Sequence, residues 1–333
     1  MKLLDLLNSE HLAYQKNPSN DDPEISIITA DSREVHPGAL FFCVLGAKFD
    51  ARVFINEAFD KGAVAVVYDG DLTIKPKGLA IQVKDVRRAL SYASSKFFGE
   101  PSKSLNNIAI TGTSGKTSVA WILSHAFQHL GSKTFLGGTL GFKLLESDGE
   151  AAKGIKELSN TTMDPISVQR FLTDALKGGA KNSVFEATSQ GVIQSRMRDV
   201  AWNGAIFTNI TREHMDLHGT MEKYEAAKRE LFVEDLANSP KKNKFAIFNF
   251  DDEAAKRICY ELKATKPEIT AISFTKSGAN GADFSMLNFK ADTKGVSFLL
   301  KGKDAEKRDS EIQINSPLVG SHNGYNLACA ALA

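Results

Sequence analysis

Asn107-Ile-Ala-Ile-Thr-Gly-Thr-Ser-Gly-Lys-Thr-Ser118 is the stretch that decides the fold. Its first five residues form a strand-like apolar run, and the glycine-bearing turn at 112–117 feeds an apolar-periodic helix that continues to about Leu130 and ends at Gly131. Strand, tight turn and helix in that order make a phosphate cradle. The glycines let successive N–H groups and the helix N-terminus face phosphate oxygens, Lys116 brings a mobile positive charge, and the Thr117 hydroxyl is a ligand for Mg2+. The expectation is ATP binding by Gly112, Thr113, Ser114, Gly115, Lys116, Thr117 and Ser118. The general P-loop pattern asks for another glycine five residues before Gly115. Ile110 stands there, so the turn is a shorter GTxGKT variant.

Downstream of this unit, strand-like runs at 183–187, 205–209, 245–249 and 270–274 alternate with helical stretches, the pattern of βαβ units in a mostly parallel sheet covered by helices on both faces. Shorter alternating runs at 284–289, 295–300 and 311–314 read as an antiparallel appendage. Upstream, runs at 25–28, 40–44, 63–67 and 79–83 with helical patterns at 52–61 and 85–98 describe a small α/β domain, and Gly99-Glu-Pro-Ser-Lys-Ser104 reads as the linker between them. The expected fold class is therefore α/β: a small α/β N-terminal domain over 1–101, then a P-loop domain over 102–333 with a doubly wound, mostly parallel central sheet. The last residues, 321–333, open like a helix and stop among apolar residues without a cap or polar tail, which leads us to expect a fragment.

Composition narrows the function classes. Of 333 residues, 42% are hydrophobic and 24% charged, and 41 Lys+Arg against 40 Asp+Glu leave a net charge of +1. No global field argues for a nucleic-acid or membrane partner. Cys43, Cys259 and Cys329 are far apart without CxxC spacing, so neither a disulfide framework nor a zinc ribbon is expected. With no 18-residue apolar run, the expected location is cytoplasmic.

A second cluster lies at the ends of the next strands. Glu186 closes the run at 183–187, and Thr208-Asn-Ile-Thr-Arg-Glu-His214-Met-Asp216-Leu-His218 follows the run at 205–209. In doubly wound sheets ligands gather at the carboxyl ends of strands, so both should face the crevice of the phosphate loop. His214 and His218 have a spacing open to zinc, but no HExxH glutamate accompanies them and the segment reads as a loop. His125 and His129 read as a solvated helix face. Lys228, on the helix-forming stretch at 221–232, reads by itself as a surface lysine.

Taken together, these residues resemble the ATP-dependent Mur ligases over essentially the whole chain, most nearly the members that add the third residue to UDP-MurNAc-L-Ala-D-Glu. In the first domain Asp31-Ser-Arg-Glu-Val-His-Pro-Gly-Ala-Leu-Phe-Phe42, with Gly46 and Phe54, is similar to the family's uridine-binding pattern. In the second, the matches are 112–117, Asn160-Thr-Thr-Met-Asp-Pro165, 186–196, 208–219, Tyr224-Glu-Ala-Ala-Lys228, Asn249-Phe-Asp-Asp252 and His322-Asn-Gly-Tyr-Asn326.

The resemblance implies an ATP-dependent amide ligase of peptidoglycan-precursor synthesis. A carboxylate is a poor acyl donor, so ATP phosphorylates it, and the amino group of an incoming amino acid displaces phosphate through a tetrahedral intermediate. Lys116, Glu186, His214 and Lys228 are implied as catalytic, with ATP and Mg2+ as cofactors. Thr117 and Glu186 match the ligands of one magnesium, and His214 with a carbamylated Lys228 those of a second. A carbamate supplies the oxygen ligands that a hard cation prefers, whereas an ammonium would be repelled. Asn249 and Asp252 match the nucleotide-contacting region. Ser32 and Arg33 match the uridine end, and Thr161, Thr162, Thr188, Gln194 and Arg196 match residues that hold the UDP-MurNAc-peptide, a task that suits a bidentate guanidinium. The implied partners are UDP-MurNAc-L-Ala-D-Glu and meso-diaminopimelate or L-lysine, with the protein a monomer.

The chain departs from the family pattern at Ser114, which replaces Asn, and at Thr188 and Gln190, which replace Ser and His. Phe49-Asp50-Ala51-Arg52 replaces an Asp-Gly-His. The family's third, C-terminal domain has no counterpart in these residues, so the expectation is that the 333-residue piece alone binds nucleotide and ligates poorly or not at all. Two other readings stand beside this one. A ligase of the folylpolyglutamate or cyanophycin synthetase type shares the central domain but lacks the uridine-like first domain. A non-catalytic or partner-dependent module that binds UDP-muramyl peptides or ATP has no need for the full set of Lys116, Thr117, Glu186, His214 and Lys228.

Overall fold

The computed structural model describes residues 1–7, 22–46, 50–146, 153–155, 161–213, 215–304 and 306–333. Phe49, Asn160 and His214, all named above, lie outside the described residues. The chain forms two compact units.

The first unit comprises Met1–Pro101 together with Asp164–Thr173 and Gln194–Asp199. It contains α1 (Leu3–Leu7), β1 (Ile27–Thr29), β2 (Ala39–Phe42), α2 (Ile55–Asp60), β3 (Ala63–Tyr68), β4 (Ala80–Gln82) and α3 (Val86–Phe97). The strands pair in parallel in the order β1-β2-β3-β4. All four residues of β2 are apolar because both faces of the sheet are covered. Leu40 and Phe42 pack with Val67 and with Ala89 of α3. Ala39 and Phe41 pack on the opposite side with Val66 and with Ile55 and Ala58 of α2. Asp85 starts α3 by accepting from the Arg87 and Arg88 amides, a cap worth about 1 kcal/mol. The helix expected at 52–61 is divided. Asp50 caps a 3-10 turn at Ala51–Phe54, and α2 begins only at Ile55.

The second unit holds Ser102–Met163, Asp174–Ile193 and Val200–Ala333. The elements from Asn106 onward are β5 (Asn106–Thr111), α4 (Lys116–His129), β6 (Thr134–Gly138), β7 (Gly141–Leu145), β8 (Lys153–Ile155), α5 (Pro165–Lys177), β9 (Asn182–Glu186), α6 (Ser189–Ile193), β10 (Gly204–Phe207), α7 (Met215–His218), α8 (Met221–Glu230), β11 (Phe245–Asn249), α9 (Glu253–Thr265), β12 (Thr270–Thr275), β13 (Phe284–Asp292), β14 (Gly295–Lys303), β15 (Asp309–Ser316) and α10 (Ser321–Ala331). Among the described residues eleven strands form one sheet, ordered β15-β14-β13-β12-β11-β10-β5-β9-β6-β7-β8. The run from β6 to β12 is parallel throughout. β5 lies between β9 and β10, so the chain winds away from it in both directions and leaves a crevice at its carboxyl end. Ile108, Ile110, Val184, Ile206 and Ile247 pack with Val119 and Leu123 of α4 on one face. On the other face Phe232 lies 6.0 Å from Phe207 and 4.9 Å from Phe248, and Trp202 lies 5.9 Å from Phe185.

Three features differ from the sequence reading. The antiparallel extension at β13–β15 is accompanied by a second, β6-β7-β8, at the opposite edge. Glycines at 137, 138 and 141 make that hairpin read as a break rather than as strands. Within the segment read as a loop, residues 215–218 form the short helix α7. The helix expected over 221–232 leaves α-helical geometry after Glu230 and continues as a π-helical turn at Leu231–Leu236. No described helix is long and apolar enough to cross a membrane. The three cysteines are buried and unpaired, and burial pushes their thiols up to about 12, which leaves them unreactive.

Candidate active site

The site grows from the end of β5. Gly112 has φ +148°, and a Cβ there would fall 1.9 Å from Thr208 Oγ1. Gly115 sits at φ +88° as the N-cap of α4, and a Cβ there would fall 2.5 Å from Asn326 Oδ1. Only glycine suits both the conformation and the space. Gly115 supplies no side-chain cap, so the first-turn amides of α4 form an anion-binding helix N-terminus. The loop is pinned from the end of β10. The Thr113 amide donates to Asn209 O at 2.8 Å, the Ser114 amide to Asn209 Oδ1 at 3.0 Å, and Thr208 Oγ1 to Ser114 O at 2.7 Å.

Two amines converge on one carbonyl oxygen of this loop. Lys116 Nζ donates to Gly112 O at 2.9 Å and to Thr113 O at 2.8 Å, and Lys228 Nζ donates to Gly112 O at 2.9 Å. Lys228 is only 1% exposed, which overturns its local reading as a surface lysine. One turn earlier on α8, the Tyr224 ring lies 4.6 Å beneath its amine, and the Tyr224 hydroxyl is 3.2 Å from Thr113 Oγ1. Burial holds Lys228 well below the usual lysine range and the charge of Lys116 pushes the same way, against a weaker pull from Glu213. Burial also lowers Lys116, opposed by Glu186 and Glu213.

Glu186, 2% exposed, stands at the end of β9. Its Oε2 accepts from Thr117 Oγ1 at 2.8 Å and from Thr139 Oγ1 at 3.1 Å, while Oε1 accepts from the Thr139 amide at 2.8 Å. Thr162 Oγ1 donates to Glu186 O at 2.9 Å and lies 3.0 Å from Thr188 Oγ1, and Thr161 Oγ1 is 3.2 Å from Thr139 Oγ1. Thr117 thus meets the Glu186 carboxylate, Thr162 meets its main-chain carbonyl with Thr188 beside it, and Thr161 meets Thr139. Sequence reading missed Thr139, whose glycine neighbours carry the signature of a turn, and Tyr224, whose spacing of four from Lys228 is a signal available in the sequence. The pairing of a hydroxyl with a carboxylate beside a phosphate loop fits Mg2+, a hard cation that takes few protein oxygens and completes its shell with phosphate and water. Among the described residues no group of three or more His, Cys, Asp and Glu side chains is arranged to hold a metal.

Asn249 Nδ2 donates to Thr208 O at 3.1 Å. Asp252 accepts from the Ile210 amide at 2.7 Å and from the Ala255 amide at 3.0 Å, so it caps α9 while holding the segment after β10. His218 is buried, with Nε2 2.9 Å from Ser189 Oγ and its ring 4.7 Å from Tyr224. His125 lies on α4 with Nδ1 2.9 Å from Trp121 O.

The remaining candidates belong to the first unit. Arg33, with its side chain 85% exposed, grips Asp31 with two nitrogens, and Ser32 O accepts from Lys61 Nζ at 2.8 Å. Gln194 Oε1 accepts from Arg196 Nε at 3.0 Å and from Nη2 at 2.7 Å. Burial lowers Arg196, partly offset by Asp164.

The model of the Mur ligase middle domain matches residues 110–333, and the model described as Mur ligase family, catalytic domain, matches residues 24–98. A curated protein of Aquifex aeolicus (strain VF5), UDP-N-acetylmuramoyl-L-alanyl-D-glutamate--2,6-diaminopimelate ligase, is 37% identical over 305 residues, which are 91% of this chain and 57% of that protein. A solved structure of a UDP-N-acetylmuramoyl-L-alanyl-D-glutamate--2,6-diaminopimelate ligase shares the fold with a TM-score of 0.79 at 24% identity, covering 100% of this chain and 63% of that one. The MurF ligase of Thermotoga maritima in complex with ADP shares it with a TM-score of 0.53 at 19% identity, covering 91% and 61%. The chain spans about three fifths of the length of the curated relatives it matches. A middle-domain match running from the phosphate loop to the last helix, on the fold just described, establishes the relationship: the chain belongs to the Mur ligase family.

Proposed function

We propose that the protein is an ATP-dependent ligase that joins diaminopimelate to UDP-MurNAc-L-Ala-D-Glu in the cytoplasm. The observation that carries this reading is the convergence of Lys116, Lys228 and the Thr117–Glu186 pair on a single phosphate loop. The name of the Aquifex aeolicus relative favours diaminopimelate over L-lysine. The family match over residues 24–98 favours a UDP-muramyl substrate over a folate, because folylpolyglutamate-type ligases lack such a domain.

In this reading the D-glutamyl carboxylate attacks the γ-phosphorus of ATP and ADP departs. The amine of diaminopimelate then attacks the acyl phosphate, and orthophosphate leaves carrying one of the original carboxylate oxygens. When bound, Mg2+ neutralises the phosphate oxygens and orients them for transfer. Thr117 and Glu186 would hold it. Lys116 exchanges the Gly112 and Thr113 carbonyls for the transferred phosphoryl group, and the α4 amides receive the remaining phosphate charge. The depressed pKa of Lys228 keeps more of its amine neutral, the form that adds CO2 and loses a proton to give a carbamate. That anion, with His214, is the proposed seat of a second Mg2+. Asn249 and Asp252 shape the nucleotide end. Ser32 and Arg33 serve the uridine, and Thr161, Thr162, Thr188, Gln194 and Arg196 the muramyl peptide.

The test is isotope transfer in the protein purified from its own cells. With 18O in the D-glutamyl carboxylates, ATP and diaminopimelate, the released orthophosphate should carry one 18O atom. Unlabelled orthophosphate would exclude carboxylate activation by phosphorylation.

A further inference from the structure

Asp251 lies outside the residues assigned above, yet it is the most heavily bonded carboxylate near the site. Its Oδ1 accepts from Thr275 Oγ1 at 2.5 Å and Ser277 Oγ at 2.6 Å, and its Oδ2 from the Lys276 amide at 3.0 Å and Tyr325 Oη at 2.9 Å. The Ser277 amide adds a contact at 3.2 Å. Asp251 therefore ties the end of β11 to the end of β12 and, through one phenol, to α10. Burial alone would raise its pKa, but these donors outweigh burial and hold it below the usual carboxylate range. Partial burial, together with the bond to Asp251, pushes the Tyr325 hydroxyl up to about 12.

The next residue of α10 points elsewhere. Successive helical side chains diverge by about 100°, so while Tyr325 reaches the strand ends, Asn326 reaches the phosphate loop. Asn326 is 5% exposed, its Nδ2 donates to Asn323 Oδ1 at 3.1 Å, and its Oδ1 occupies the space that a Gly115 side chain would need. Gly115 is the residue from which the anion-binding turn of α4 begins. The two contacts, one residue apart on one helix, make the seating of α10 and the approach of Asn326 to the loop a single adjustment. Elsewhere α10 packs through apolar side chains such as Leu327, Ala328 and Cys329, contacts that have no fixed direction.

We propose that Asp251 and Tyr325 are positioning residues: their hydrogen bond sets the distance between α10 and the phosphate loop and thereby the affinity for the phosphates of the nucleotide. Neither group touches the reacting atoms. The proposal rests on the reading of residues 112–118 as a nucleotide site.

The experiment is calorimetric titration of Mg-ADP into the protein, Tyr325→Phe, Asn326→Ala and the double variant, with ATP kinetics alongside. Tyr325→Phe should bind Mg-ADP about tenfold more weakly, about 1.4 kcal/mol, with KM for ATP raised, kcat little changed and the melting temperature close to that of the parent. In the Asn326→Ala background the same change should cost less than about twofold, because the clamp acts through Asn326. Asp251→Asn, which keeps the shape and weakens the acceptor, should repeat the loss if Tyr325→Phe proves poorly folded. Parent-like binding by both Tyr325→Phe and Asp251→Asn, or an equal loss in both backgrounds, would overturn the clamp. Failure of the parent to bind Mg-ADP would instead overturn the nucleotide site itself, and the clamp with it.

Discussion

Lys228 has no mark of burial in its neighbours, Glu225, Arg229 and Glu230, and the helix propensities around it are those of a solvated face. What buries it is the phosphate loop, more than a hundred residues earlier, whose Gly112 carbonyl receives its amine. That contact is legible only through the Tyr224-to-Lys228 motif as a whole. Lys116, Thr117 and Glu186 were legible one at a time, because a strand-end acid and a GKT turn are local signals. Thr139 was not, since nothing local links it to Glu186 forty-seven residues later. Three outcomes follow at this scale. Lys228→Ala should lower orthophosphate release by about a hundredfold or more, the scale of losing one preorganised charge-stabilising group, and short-chain carboxylic acids should restore part of it. In the parent, 13C-bicarbonate should give a carbamate resonance that Lys228→Ala lacks. Because the folded-state pKa of this amine is depressed, the resonance should grow as pH rises through that value and fade below it. Thr139→Val should raise the Mg2+ concentration needed for half-maximal release several-fold, and Thr139→Ser, which keeps the hydroxyl on Glu186, should not.

At the scale of elements, the parallel strands β5, β9, β10, β11 and β12 were readable because each carries a short apolar stretch between helical patterns, as burial on both faces demands. The hairpin β6-β7 was not, because its glycines signal a break while its pairing depends on β9, far along the chain. The divided start of α2 has a similar origin: Asp50 turns to cap the Arg52 amide, and the backbone tightens before the helix begins. At the start of β13, Asp283 accepts from Lys263 Nζ at 2.9 Å and from the Ser273 amide and hydroxyl at 2.9 and 2.7 Å. Burial raises its pKa, but Lys263 and Ser273 outweigh burial and the net shift is downward. A carboxylate depressed in the folded state adds stability above its unfolded value, about 3.9, and loses that contribution as pH falls through the folded value. Asp283→Asn should therefore be less stable than the parent in urea melts at neutral pH, with the difference closing below about pH 4. A difference constant down to acidic pH would mean that the charge contributes nothing.

At the scale of the whole molecule, the alternation of strands and helices fixes the class of both units, and the order of motifs along the chain ties them to one family. The assignment of 164–173 and 194–199 to the first unit is beyond linear reading, because these segments join it by packing rather than by sequence neighbourhood. If the uridine end of the muramyl substrate is held in the first unit and the nucleotide at the phosphate loop, as proposed, hydrogen exchange should separate these two ends. UDP-MurNAc-L-Ala-D-Glu should protect amides within residues 24–98, and Mg-ADP those of the loop at 112–118. Protection of the same amides by both ligands would argue against that division.

The carboxylate–threonine pair and the two amines on Gly112 serve ligation in the function proposed above. Orthophosphate release from Mg-ATP by the protein purified from its own cells tests it most directly, with UDP-MurNAc-L-Ala-D-Glu and diaminopimelate supplied singly and together. Release that requires both, and is lost in Lys116→Ala, is the predicted result; release indifferent to either substrate, or supported equally by a folate and glutamate, would contradict it.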